Sequence, residues 1–499
     1  MRRNKVIVVG AGIGGLTAAI SLCGAGLDVT IIEAAEQPGG KLSQIEVGGM
    51  GIDSGPTVFT MRWVFEDLFA SVGQTLSDHL TLTRADTLAR HSWPDGATFD
   101  LFTDLERSVD AVGQLAGAAE AKRFRDFSEH AALIYRVLEG PFLKSDKPDP
   151  LKFMLDIGLH RSRDAWAIVP YRSMWDQLGT YFHDPRLRQL FGRYATYCGA
   201  SPFKAPATMM LIAHVEQEGV WLVEGGMKKI PEAMAKLAKS LGANVRCGDP
   251  VARIETRQGR VSGVVLASGE TLEADIVLCN GDPAAIASGR FGPEVAPAVT
   301  AAGPGKRSLS AVTFSFTADT PADLVRHNLY FSPDYVAEFD ALHAGRMPDI
   351  PTVYLCAQDR HDTDSVRAKP GPERFFAIVN APADGDTHAY SPQEIDLCRS
   401  RTFASMESGG LTIDPASIQM AITTPTDFER RFPATGGGLY GRAGHGWDSP
   451  FRRPGARTRM PGLYLCGGAT HPGAGVPMAA LSGRLAARAV MQDGASTRR

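Results

Sequence analysis

The sequence predicts an α/β protein: a Rossmann-like nucleotide-binding domain interrupted by an inserted α+β domain. Three observations predict it. Residues 6–33 carry a complete βαβ signature. Glycine-rich text that resumes strand–turn–helix order returns near residue 220 and again over the last 70 residues. Between these stretches lie a helical, aromatic segment and a segment of mixed strand text.

The first element is a β-branched strand, Val6-Ile-Val-Val9. Gly10-Ala11-Gly12-Ile-Gly14-Gly15 follows at the spacing G-x-G-x-x-G, then a helical stretch, then Asp28-Val-Thr-Ile-Ile-Glu33. Each part has a task in holding a dinucleotide. Gly10 permits the tight turn, Gly12 presents no Cβ to a pyrophosphate, and Gly15 lets helix and strand approach. The helix N-terminus offers free N–H groups and partial positive charge to phosphates. Glu33, 18 positions after Gly15, accepts hydrogen bonds from both ribose hydroxyls and disfavours a 2′-phosphate, which argues against NADP. The uncharged run 6–27 behind Arg2, Arg3 and Lys5 has the flanks of a leader peptide or membrane span. Its six glycines, placed for turn and packing, favour the βαβ reading.

At 499 residues the chain exceeds one ordinary core, so two or three domains are expected. Its 44% apolar and 21% charged residues are those of a soluble globular protein. A net charge of −3 supplies no basic field, which excludes nucleic acid as a partner. No other segment has the apolar length to span a bilayer, so the expectation is a cytoplasmic protein with surface attachment left open. Seven scattered cysteines without a C-x-x-C fit a reduced compartment without disulfides or zinc, and the twelve histidines show no metal-ligand spacing.

Pro38-Gly-Gly-Lys41 and Asp53-Ser-Gly55-Pro56-Thr57 are Gly/Pro loops after strand-like text, where backbone amides can reach a ligand. From about 62 to 219 the pattern is helical and aromatic, with Pro150, Pro170 and Pro185 as breaks. After Glu224-Gly-Gly-Met227 comes a helix with apolar residues at 230, 234, 237, 238 and 241. Strands are predicted at Ala243–Cys247, Val251–Glu255, Val261–Ala267 and Leu272–Cys279. Further strand text occurs at Ser310–Phe316, Thr352–Cys356 and Phe375–Val379. Gly462-Leu-Tyr-Leu-Cys-Gly-Gly468 and a helix from about 477 close the chain. The nucleotide-binding domain is therefore assembled from 1–85, 220–285 and 430–499. The helical insertion 86–219 and the mixed sheet 286–429 form the second domain.

The C-terminal run Leu463-Tyr-Leu-Cys-Gly-Gly-Ala-Thr-His-Pro-Gly-Ala-Gly-Val-Pro-Met478 resembles the flavin-dependent carotenoid desaturases of the phytoene desaturase type, within the amine oxidase-like flavoproteins. Tyr440-Gly-Arg442, Phe451-Arg-Arg-Pro454, Gly225-Gly-Met227 and Ala274-Asp-Ile-Val-Leu-Cys-Asn280 support the likeness, which covers nearly the whole chain. The resemblance implies FAD. Gly10, Ala11, Gly12, Gly14 and Gly15 would meet the pyrophosphate and Glu33 the adenosine ribose. Lys41, where many relatives have Arg, would lie near the phosphates, and Val251 would pair its backbone with adenine. Gly55, Pro56 and Thr57 would line the flavin side, Gly467 and Gly468 approach the pyrophosphate, and Val476, Pro477 and Met478 sit at the ring. A helix starting near Pro477 independently suits the ring's pyrimidine end, where negative charge builds on reduction.

The likeness extends to members that act late in carotenoid synthesis, introducing a C3–C4 double bond into 1-hydroxy or 1-methoxy carotenoids. Phytoene desaturases share every motif quoted. A flavin amine oxidase is disfavoured because the C-terminal run offers His471-Pro472 and no aromatic pair to cage an amine. A prenyl-lipid-binding chaperone of the same fold would lack the intact glycine sets. Desaturation needs alignment and a dry site more than a strong base, so no catalytic residue is assigned. His471 reads either as a proton acceptor or as a histidine bonded to a backbone carbonyl. Asp176, Arg163, Arg172 and Tyr171, in the helical insertion, are read as surface or packing residues, contact with a polar end group of the substrate being the alternative. Because a C40 carotenoid gains little on moving from lipid to an apolar tunnel, the tunnel mouth is expected against the membrane surface. Residues 150–185, with Phe153, Met154, Trp166, Tyr171, Met174 and Trp175, would lie near lipid, an ordinary aromatic core being the alternative. Oxygen or a quinone would be the electron acceptor.

Overall fold

The computed structural model describes residues 4–147, 171–300, 302–360 and 371–496. Five parallel strands lie in the order Leu463–Leu465, Ile276–Cys279, Lys5–Val9, Asp28–Ile32, Asn244–Arg246. Side chains alternate across this sheet. Val6, Val8, Val29 and Ile31 face helices Ile13–Gly24, Lys229–Ser240 and Val476–Ser496. Ile7, Val9 and Ile32 face an antiparallel layer of Val251–Arg257, Arg260–Leu266 and Thr271–Glu273. Burial on both faces explains why the strands read as unbroken apolar runs. Helix Lys229–Ser240 buries Ile230, Met234, Leu237 and Ala238, the face its spacing predicts.

The two ends of the chain pack directly on each other. A Cβ on Gly483, in the last helix, would overlap the Gly14 carbonyl oxygen. A Cβ on Gly14 would stand 2.8 Å from the Gly467 backbone. Glycine is required at both points because backbone meets backbone with no room for a side chain.

A seven-stranded sheet stands beside this unit, in the order Gln419–Thr423, Ser310–Ala318, Glu373–Ala381, Val353–Ala357, His327–Tyr330, Thr87–Ser92, Thr98–Phe102. Val312, Phe314 and Phe316 pack under helix Pro392–Ser408, which a Ser391–Glu394 capping box starts. Thr313, two positions from Ser315, shares the opposite face with Ile378 and Tyr354 through the pairings Thr313↔Ile378 and Tyr354↔Ile378. That face looks toward the nucleotide-binding unit.

Three expectations need correction. Residues 87–102 build a hairpin of the second sheet rather than helix, turning at Trp93-Pro-Asp-Gly96 with Gly96 at φ +84°. The predicted strand Leu272–Cys279 is two strands: Thr271–Glu273 ends the antiparallel layer and Ile276–Cys279 crosses into the parallel sheet. The Asp275 carboxylate accepts from Lys5 N–H at 3.0 Å at that crossing. Within the stretch expected near lipid, Met174 is fully buried, and Trp175 packs on Phe203 at 4.7 Å with the Arg188 guanidinium over its ring. Tyr171 is exposed, while Phe153, Met154, Arg163 and Trp166 lie outside the described residues. No helix among the described residues is long and apolar enough to cross a membrane.

Candidate functional site

A cavity of about 960 Å³ lies between the carboxyl ends of the parallel strands and the second sheet. Crevices at the carboxyl ends of open α/β sheets are where such folds bind ligands. Gly10, Gly12 and Gly14 line it. Gly10 has φ +97°, a conformation that strongly favours glycine, and its N–H donates to the Ile32 carbonyl at 2.7 Å. The helix beginning at Ile13 has no side-chain cap, so its first-turn N–H groups are available to a ligand. Ala11 and Gly15 stand one layer behind the lining. Ala11 N–H donates to Glu33 Oε2 at 2.6 Å, and a Cβ on Gly15 would overlap the Gly10 carbonyl. Their part is to hold the loop rather than to face the cavity.

Glu33 is buried yet reaches the lining, its other oxygen accepting from Ala35 N–H at 2.9 Å. The Asp249 N–H donates to the Glu33 carbonyl at 3.0 Å, which brings Pro250 and Val251 to the same end of the cavity. Lys41 also lines it. Its ammonium donates to the Leu439 carbonyl and lies over the Phe432 ring at 5.1 Å. Burial, the largest influence, lowers its pKa to about 8.

Gly55, Pro56 and Thr57 form one wall, and a Cβ on Gly55 would overlap the Lys41 carbonyl. Gly467, at φ +104°, and Gly468 form the next, followed by Val476, Pro477 and Met478 at the start of the last helix. Thus fourteen of the sixteen residues expected to bind the cofactor meet at one cavity and two support it from behind.

Two residues with structural control of this wall received no role from the sequence, although both sit in motifs quoted there. Asn280 Nδ2 donates to the Gly10 carbonyl at 3.3 Å, and its Oδ1 accepts from Cys466 Sγ at 3.5 Å, tying the first and last loops together. Arg453, buried, donates to the carbonyls of Tyr440 at 2.9 Å, Gly468 at 3.1 Å and Arg442 at 3.0 Å.

Polar side chains also occupy the second-sheet end. Tyr354 hydroxyl lies 2.5 Å from Thr57 Oγ1 and 2.6 Å from His327 Nδ1. Burial lowers the His327 pKa to about 3, which keeps this imidazole neutral. On the helical wall Tyr194 and Tyr197 both donate to Glu216, whose carboxyl burial pushes upward, beside the buried Arg193. Asp334 caps helix Tyr335–His343, and Tyr335 reaches the cavity. The Thr352 hydroxyl donates to Glu338 at 2.6 Å, and burial raises that carboxyl to about 7.

His471 takes the second of its two readings. It is buried, bonds the Phe142 carbonyl through Nε2 at 3.0 Å and lies edge-on to the Phe142 ring at 4.9 Å. Burial lowers its pKa to about 4. Asp176 is exposed and engaged with Ser173, and Arg172 and Tyr171 are exposed outside the cavity lining.

The wall chemistry fits FAD. Uncapped N–H groups, a lysine and a glycine cradle converge where a pyrophosphate is required, and a carboxylate stands where a ribose is required. At Gly12 an added Cβ would come within 2.8 Å of Asn280 Nδ2.

Comparison with known proteins agrees. The flavin containing amine oxidoreductase family matches residues 13–491. A hydroxyneurosporene desaturase from Rubrivivax gelatinosus is 48% identical, covering 100% of this chain and 95% of that one. Its counterpart from Cereibacter sphaeroides is 46% identical, covering 99% of both. Among solved structures, an oxidoreductase from Methanosarcina mazei superposes with a TM-score of 0.59 at 17% identity, covering 98% of this chain and 100% of that one, a likeness of fold. The chain belongs to the flavin containing amine oxidoreductase family, and its cofactor is FAD.

Proposed function

We propose that this protein is an FAD-dependent desaturase that introduces the C3–C4 double bond into 1-hydroxy and 1-methoxy carotenoids. The observation that carries the reading is full-length identity of 42–48% to three hydroxyneurosporene desaturases. The cavity supports it, because apolar residues such as Leu211, Ile212, Val215, Leu329, Phe376 and Ile378 line its inner part, as an oily substrate requires.

In this reading FAD, when bound, supplies a two-electron acceptor able to take hydride from carbon. The chain's residues supply position and dryness. Backbone N–H groups at Gly12 and Gly14 and the Lys41 ammonium would hold the pyrophosphate, Glu33 the ribose, and the Val251 backbone the adenine. Thr57 and the segment Val476–Met478, which line the cavity, would stand beside the ring. Tyr354, fixed between Thr57 and the neutral His327, keeps its hydroxyl in one place. The polyene spreads the positive charge left by hydride loss, so a weak base or water suffices for the proton.

Trp447, 57% exposed, stands at the cavity rim with Pro450 and Phe451. An exposed aromatic at such a mouth suits contact with lipid; in this reading the substrate enters from a membrane surface, and oxygen or a quinone takes the electrons. Incubating the yellow holoprotein with 1-hydroxyneurosporene in liposomes under air or quinone tests the reading. A red-shifted extracted pigment is expected; an unchanged pigment under both acceptors contradicts it.

Lys41 gives the site a pH dependence. Its pKa is lowered from 10.5 to about 8 in the folded protein without cofactor. Between those values the unfolded chain holds more protons, so burial of Lys41 destabilises the fold less as pH rises through that window. A bound pyrophosphate favours the ammonium, so binding takes up a proton above about pH 8. FAD affinity is expected to weaken there by up to about tenfold per pH unit, and Lys41→Met to flatten the slope. Titration of FAD-free protein from pH 7 to 10 checks it; an equal slope in the variant contradicts it.

A further inference from the structure

An apolar tunnel grips a polyene by shape and dispersion, which have little preference for one end of the chain over the other. Choosing a single carbon–carbon bond therefore calls for a polar handle at a fixed distance from the ring. In the substrates proposed above that handle is the oxygen on C1, only a few bonds from C3. Its receptor must stand within one side chain's reach of the reacting carbons.

The second sheet carries such a place. Tyr354 meets Thr57 at the flavin side and pairs with Ile378. Thr352 and Asn380 each lie two residues further on, roughly 7 Å along the strands, and both line the cavity. There Tyr335 enters from its helix. It is 5% exposed, lines the cavity, and its hydroxyl has no hydrogen-bond partner in the protein. Its ring is fixed edge-on to Phe339 at 5.1 Å and near Trp175 at 6.0 Å. The Thr352 hydroxyl is committed to one oxygen of Glu338; the other Glu338 oxygen and the Tyr335 hydroxyl are both buried without a hydrogen-bond partner, so Tyr335 has a proton to give. A buried hydroxyl without a partner is uncommon in a folded protein and points to a ligand atom.

We propose that the Tyr335 hydroxyl donates a hydrogen bond to the oxygen on C1 of the carotenoid end group, and thereby sets which end enters and which bond lies at the ring. The assignment rests on the reading of the chain as a desaturase of C1-oxygenated carotenoids. A donor is what both substrates need, since hydroxyl and methoxy oxygens both accept but only the hydroxyl donates. Burial holds the Tyr335 pKa well above its ordinary value, so the donor stays protonated. Arg193 is another buried donor with an unpartnered nitrogen. It is balanced by Tyr197 and Glu216, and a cation beside C1 would oppose the positive charge developing on the polyene.

The test compares FAD-loaded wild type with Tyr335→Phe on three carotenoids in liposomes: the 1-hydroxy compound, the 1-methoxy compound and the analogue without oxygen. For both oxygenated substrates kcat/KM is expected to fall about tenfold to a hundredfold, toward the value for the analogue, whose own turnover is unchanged. A binding readout runs beside it. Carotenoid quenching of the protein's tryptophan fluorescence, without an electron acceptor, should show the affinity ratio of hydroxy to deoxy compound collapse in the variant. Tyr335→Leu, differently shaped and equally without a donor, should show the same collapse. Equal losses on all three substrates, or full retention of the wild-type preference, overturns the assignment. Wild-type protein that converts no oxygenated carotenoid overturns the underlying reading and the assignment with it.

Discussion

Gly14→Val is expected to purify colourless and to lose at least about a hundredfold in FAD affinity. An added Cβ would stand 2.6 Å from Asn280 Oδ1 and 2.8 Å from Gly467 Cα and N. The asparagine can rotate, but the Gly467 backbone cannot retreat. It is held by Ser482 Oγ accepting from its N–H at 3.2 Å and by the parallel strand that precedes it. The side chain therefore separates the first and last loops, and the cradle opens. Flavin absorbance after dialysis, with Gly113→Ala as control, measures the effect. Gly113 lies in helix Leu105–Ala116, where a Cβ makes only ordinary contact with Ala121 at 3.6 Å. A yellow Gly14→Val protein of wild-type affinity would show that the two loops do not share one ligand.

Arg453→Met carries the second large effect. The guanidinium joins the carbonyls of Tyr440, Arg442 and Gly468, so one side chain sets the height of the Gly468 turn against the loop before it. Methionine keeps the apolar bulk but leaves three carbonyls without their donor. A loss of about 3 kcal/mol in stability is expected, with faster FAD release because Gly468 lines the cavity. Thermal melting of holoprotein and apoprotein separates the two contributions. The holoprotein should lose more than the apoprotein if the residue positions the cofactor wall. Equal losses would mark Arg453 as a fold brace alone.

Much of this site was legible in the sequence, because a nucleotide grip is written locally. The strand Val6–Val9, the turn at Gly10 and the carboxylate at Glu33 follow one another within 28 residues, and their spacing encodes their geometry. The C-terminal glycines were legible for the same reason, as a strand–turn–helix run. What joins the two loops was not. Asn280 and Gly483 reach their partners across more than 180 residues, and no periodicity reports such contacts. The hairpin 87–102 was missed although Pro94-Asp95-Gly96 signals its turn. Thr87–Ser92 lies between two other strands and is largely buried on both faces, so it lacks the polar alternation that marks a half-exposed strand. Ala11 and Gly15 were placed one layer too far forward, since spacing gives the loop but not which of its residues turn inward. Tyr335 had no sequence signal at all. Its significance is the unfilled hydrogen bond of a hydroxyl that is buried only once the chain has folded around it.

The most direct measurement is a single turnover without oxygen. The holoprotein is mixed with one equivalent of 1-hydroxyneurosporene in vesicles, and the flavin and polyene bands are followed together. One flavin should lose its colour for each pigment molecule that shifts to the red, at the same rate. A pigment that shifts while the flavin stays oxidised, or a flavin that bleaches while the pigment keeps its spectrum, would contradict the account.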